Sequence, residues 1–122
     1  MDFEDFISKG QVRKAKPDIE LVKSLIKASE SDLIFLKRQS IDKDSARKVF
    51  TGFYDIVRSI VEAMAVMHGY KVYSHEAFTF YLIKLGEGIL ADKFDRFRKI
   101  RNRKIGRASL GKECRSRWSP YH

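Results

Sequence analysis

A chain of 122 residues, 43% hydrophobic and 34% charged, is one domain's worth of sequence with enough apolar content for a single core. This composition excludes fibrous, collagenous and wholly disordered classes, and no apolar run approaches the ~18 residues that a membrane span needs. The net charge of +9 is concentrated at one end: residues 1–95 hold 15 basic and 15 acidic residues, whereas residues 96–122 hold 10 basic residues against Glu113 alone.

A neutral body with a cationic end suits a phosphate-bearing partner such as nucleic acid, or an acidic protein surface; a plain solvated basic tail is the alternative. The start, MDFEDF, is acidic where a signal peptide is basic and then apolar, so the expected location is the cytoplasm, away from any membrane. Cys114 has no second cysteine to pair with and no Cys or His at metal-ligand spacing, so neither a disulfide, a metal nor a cofactor is expected.

Residues 1–17 show no long period and are expected to form a loosely held N-terminal arm, with at most a short turn at DFEDFI and with Phe3, Phe6 and Ile7 available to dock. Pro17 and Asp18 then offer helix-start chemistry. Ile19, Val22, Ile26, Ser29, Leu33 and Leu36 recur at three and four, which predicts an amphipathic helix to about Gln39. Asp42 or Asp44 can cap a second helix over Lys43 to His68. Its apolar face carries Ala46, Val49, Phe50, Phe53, Val57, Ile60, Met64 and Met67, the strongest period in the chain. Gly52 interrupts that helix, either weakening it or letting a neighbour come close. Gly69 stops it. Ser74 caps a third helix to Leu85 with Phe78, Tyr81, Leu82 and Leu85 inward, and Gly86-Glu87-Gly88 breaks the chain before a fourth helix that runs to about Gly106.

With no alternating strand pattern and short connections, the expected fold is all-α, an antiparallel up-and-down four-helix bundle over residues 18–106 followed by a basic irregular tail, 107–122. In that topology one end of the bundle collects His68, Tyr70, Tyr73, His75 and Arg101.

The fourth helix poses the central question. Leu90, Phe94, Phe97 and Ile105 form one narrow stripe at about 100° per residue, and Arg101 falls in its middle. A cation on an apolar stripe needs a carboxylate, a snorkelling route or an anionic ligand, because an unpaired buried charge is too costly. Arg96, Arg98, Lys99, Arg103 and Lys104 occupy the outward faces, where they can track a phosphate backbone. Tyr70 and Tyr73, beside Lys71, either stack on bases or cover the end of the core.

The order of a long helix pair, GYKVYSHEAFTFYL and FDRFRKIRNRKI resembles HEPN domains, small archaeal and bacterial helical bundles often encoded beside a minimal nucleotidyltransferase. The resemblance covers residues 18–105, with Gly69, Ser74, His75, Glu76 and Ala77 at the third helix start and Arg101-Asn102 opening the signature. It implies a homodimer that binds RNA or nucleotide, or that pairs with a nucleotidyltransferase in a toxin-antitoxin type system. The alternative it implies is a metal-independent ribonuclease toxin using Arg101, with Asn102, at a dimer seam. Active members follow the arginine with a histidine for proton transfer. Here Arg103, Lys104, Ile105, Gly106 and Arg107 follow, so the histidine is missing. His75 is the candidate replacement, against a plain packing role near the cap; His68 and His122 are weaker candidates. For Arg101 the structural alternative to a phosphate ligand is a buried salt bridge, with Asp18 or Glu76 as partner. Where the family continues in an amphipathic helix, this chain reads GRASLGKECRSRWSPYH, as an altered reading frame would produce.

Overall fold

Asp2 starts the first helix with a reciprocal cap: its side chain accepts the Asp5 N–H at 3.1 Å, and the Asp5 carboxylate accepts the Asp2 N–H at 2.8 Å. This helix, α1 (Phe3–Ser8), would not survive alone at six residues. It is held because Phe3 and Phe6 are buried, Phe3 edge-on to Tyr70 at 5.0 Å and Phe6 against Phe80 at 5.2 Å. In the computed structural model the backbone is described for residues 1–108 and side chains as far as Asn102, so the side chains of Arg103, Lys104 and Ile105, and residues 109–122 of the expected tail, lie outside the described residues.

The expected loose arm is therefore corrected. After α1 the chain forms β1 (Val12–Lys14), which pairs antiparallel with β2 (Tyr70–Val72), Val12 opposite Val72 and Lys14 opposite Tyr70. Three-residue strands give no readable alternation, which is why the sequence showed none. Gly69 makes the pairing possible: its φ is +86°, its carbonyl accepts the Ala15 N–H at 2.8 Å, and an added Cβ would sit 3.0 Å from the Ala15 carbonyl oxygen.

The remaining elements are α2 (Ile19–Lys37), α3 (Ala46–Met67), α4 (His75–Lys84) and α5 (Gly88–Ala108). Asp18 caps α2 as expected, its side chain accepting the Leu21 N–H at 3.0 Å. At α3 the N-cap is Ser45, while Asp42 braces the preceding loop by accepting the N–H groups of Asp44 and Ser45, both at 2.9 Å. The described chain is mostly helical, with five helices and one small sheet.

The core joins Phe3, Phe6 and Val12 to Tyr54, Val61 and Ala65 of α3, to Phe78, Tyr81 and Leu82 of α4, and to Ala91 and Phe94 of α5. Helix α2 stays outside it and packs chiefly along α3. That contact is close: at Gly52 an added Cβ would lie 2.8 Å from a Leu36 methyl, so the glycine serves helix approach.

Here a second expectation is overturned. The α3 face read as core is largely solvent-facing: Phe53, Val57, Ile60, Met64 and Met67 are exposed, as are Ile19 and Ile26 on α2. What α3 buries are its two flanks, Val49, Ile56 and Ala63 on one, and Tyr54, Val61 and Ala65 on the other. The two flanks are buried by neighbouring elements, α2 among them on one side and α4 and α5 on the other, and the most apolar stripe is left between them.

Candidate functional site around Arg101

Arg101 is only 3% exposed and lies on α5 one turn beyond Phe97. Its Nε is 3.4 Å from Asp55 Oδ1, and its guanidinium carbon sits 5.6 Å from the centre of the Tyr54 ring. Of the three ways to keep a cation on an apolar stripe, this protein uses the carboxylate, reinforced by a cation–π contact. The partner is Asp55, not Asp18 or Glu76. The pair is asymmetric, because the Asp55 side chain is 35% exposed against 4% for Arg101. Asp55 is thus the solvent-side member, and anything approaching Arg101 from water meets a carboxylate first.

The surroundings are electrostatically tense. Burial raises the Asp55 carboxyl and Asp32 adds to the rise; the charges of Arg101 and Arg58 pull the other way without cancelling it. Tyr54, packed on Phe94 at 5.3 Å, is pushed up to about 12 by burial, although Arg101, Arg58 and Arg98 all favour its ionised form. Its hydroxyl has no hydrogen-bond partner among the described residues. Arg58, buried on α3, pairs with Glu62 at 3.0 Å.

The other α5 cations fall into two groups. Arg98 is mostly buried and gives two bonds to Asp95 Oδ1, at 2.8 and 3.3 Å, while Lys99 reaches Asp95 Oδ2 at 3.0 Å. Burial alone would raise the Asp95 carboxyl, but these bonds and charges outweigh it and hold it below the usual carboxylate range. Arg96 pairs with Asp92 at 3.0 Å on an exposed face. Arg96, Lys99 and Asn102 therefore share an accessible surface, while Arg98 and Arg101 are inward. Asp95 also sits in an open groove of ≈ 490 Å³ between α4 and α5, lined by Glu76, Thr79, Phe80 and Ile83 on one side.

His68 and Tyr70 do not converge on Arg101 as the topology had suggested. His68 shares a hydrogen bond with the Tyr81 hydroxyl, and it lies thirteen residues beyond Asp55, about 20 Å along α3. Tyr70 packs against Phe3 and Tyr81 in the core margin. Tyr73 is exposed, and His75 lies 6.5 Å from Phe78. Among the described residues no cluster of three His, Cys, Asp or Glu could hold a metal ion, and no helix is long and apolar enough to cross a membrane.

Sequence reasoning missed Asp55 and Tyr54. Tyr54 belongs to a second row on α3, Tyr54, Arg58, Val61 and Ala65, which is less apolar than the row beside it and does not stand out by period. With this geometry in hand, no family model, curated protein or solved structure matches the chain.

Proposed function

We propose that the chain is a HEPN-like, homodimeric module that binds RNA or nucleotide and regulates a nucleotidyltransferase-linked, toxin-antitoxin type system in the cytoplasm, with α2 to α5 as its four-helix bundle. The observation that carries this reading is the state of Arg101. The arginine that the resemblance singles out is buried and committed to Asp55 and Tyr54, while Arg96 and Lys99, about 140–160° around α5 from it and each paired with an aspartate, are exposed together with Asn102. Such a surface can follow a phosphate backbone and release it again. It lacks what the family's cleavage asks for, since Asn102, Arg103, Lys104, Ile105, Gly106 and Arg107 follow the arginine where a proton-transferring histidine is expected.

The test is fluorescence anisotropy of a labelled single-stranded RNA with the purified protein in chelator, across a salt series, followed by a gel of the same RNA. Binding that weakens linearly in log salt is expected, with the slope reduced by roughly 0.7 for each phosphate contact removed in Arg96→Ala or Lys99→Ala. Absence of binding at low salt would remove the nucleic-acid reading and leave partnership with a nucleotidyltransferase. Cleavage abolished by Arg101→Ala would restore the ribonuclease.

A further inference from the structure

Phe53, Val57, Ile60, Met64 and Met67 form an unbroken stripe along α3, each 36% to 48% exposed. Between Ala46 and Met67 this sector of the helix contains no charged residue. Such a face on a chain of net charge +9 is anomalous, because contiguous exposed apolar surface marks an interaction site.

The face extends onto α2, and its orientation relative to the arginine site can be worked out. Asp32 of α2 raises the Asp55 carboxyl, so that flank of α2 lies on the Asp55 side. Ile19 and Ile26, 48% and 38% exposed, are about 120–140° around α2 from Asp32 and so belong to the opposite side. On α3 itself Phe53, Val57, Ile60 and Met64 are about 140–180° from Asp55 at 100° per residue. The apolar face and the Arg101–Asp55 pair therefore occupy opposite sides of the same helix.

We infer that a second copy of this chain docks on the apolar face of α2 and α3, and that the two Arg101–Asp55 pairs consequently face outward instead of meeting across the seam. The exposed apolar residues amount to on the order of 500 Å² per copy, so two faces closing on each other bury roughly 1,000 Å², where specific interfaces begin. Self-association fits the charge pattern as well. A charge-free face lets two strongly cationic chains meet without opposing like charges, and a twofold axis makes one patch complementary to itself. The inference rests on the homodimeric reading above but changes its anatomy, since each copy then keeps a complete cationic surface of its own.

Sedimentation equilibrium of the full chain tests it, with Ile60→Glu as the perturbation. Ile60 is 40% exposed in the protomer, so the far-ultraviolet circular dichroism spectrum should be unchanged while dimer dissociation rises at least tenfold. A wild type that stays monomeric at all concentrations, or an Ile60→Glu variant that dimerises as well as wild type, overturns the seam. A bifunctional maleimide separates the faces in a Cys114→Ser background. Cross-linking through Met64→Cys and not through Asn102→Cys supports the outward placement; equal or faster cross-linking through Asn102→Cys overturns it. Neither readout involves RNA, so failure of the RNA titration leaves the seam standing.

Discussion

Removing Asp55 should expose what it costs to keep Arg101 on an apolar stripe. Arg101 is 3% exposed, its Nε has only the Asp55 oxygen at 3.4 Å nearby, and no hydrogen bond reaches that nitrogen among the described residues. Breaking a fully buried ion pair by deleting one partner costs about 3–5 kcal/mol. Two features reduce that figure here: the Asp55 side chain is 35% exposed, so water partly replaces it, and Tyr54 continues to stabilise the guanidinium by about 1 kcal/mol. Asp55→Ala should therefore lose about 1–3 kcal/mol. If the loss comes from stranding a charge, neutralising the arginine as well must recover it, and Asp55→Ala with Arg101→Met should fall within about 1 kcal/mol of wild type. Urea unfolding at pH 7 of the wild type, both single variants and the double variant gives the coupling directly, provided the m-values agree. Additive losses in the double variant, or a loss below about 0.5 kcal/mol in Asp55→Ala, would refute the reasoning.

Three further outcomes follow from the packing. Gly69→Ala should cost about 1–2 kcal/mol, because it combines a positive φ with a Cβ 3.0 Å from the Ala15 oxygen; a neutral result in thermal unfolding would mean that the β1–β2 pairing contributes little. Phe6→Ala should cost about 3–5 kcal/mol by the same assay, since Phe6 is 2% exposed, whereas an arm that merely rests on the surface would lose under 1. Tyr54 is raised from about 10 to about 12, so its contribution is intact below pH 10 and is lost as pH climbs through 12. Wild type should lose roughly 1 kcal/mol more than Tyr54→Phe between pH 9 and 11, and parallel stability profiles for the two proteins would rule this out.

Long-range placement, more than local structure, separates what could be read in the sequence from what could not. The helices α2 to α5 were legible because the Asp18 cap and the breaks at Gly69 and Gly86 act within a turn of the residues they govern; Ser74 holds the N-cap position of α4 without a side-chain capping bond. The α4 stripe Phe78, Tyr81 and Leu82 was buried as its period implied. The α3 stripe was not, although its period was stronger, because hydrophobic periodicity measures how apolar a face is and says nothing of how many neighbours crowd the helix. With α2 on one flank and α4 and α5 on the other, the second row through Tyr54 and Val61 became core. Arg101 stood out from the start as a misplaced cation, yet its partner Asp55 could not be named, because the two are 46 positions apart and only the crossing of α3 and α5 brings them together. The strands failed for a similar reason, as three residues make a ladder only when the other three are already in place.

The β1–β2 pairing and the docking of α1 also set an order of events for the growing chain. Phe3, Phe6 and Val12 leave the ribosome before Tyr70, Val72, Phe80 and Tyr81, which they pack against or pair with and which follow more than fifty positions later. Closing a loop of that size is slow compared with zipping α2 onto α3, whose contacts are nearer in sequence. These residues are thus stitched in well after they are made, and until then their apolar side chains are on offer to chaperones and to other nascent chains.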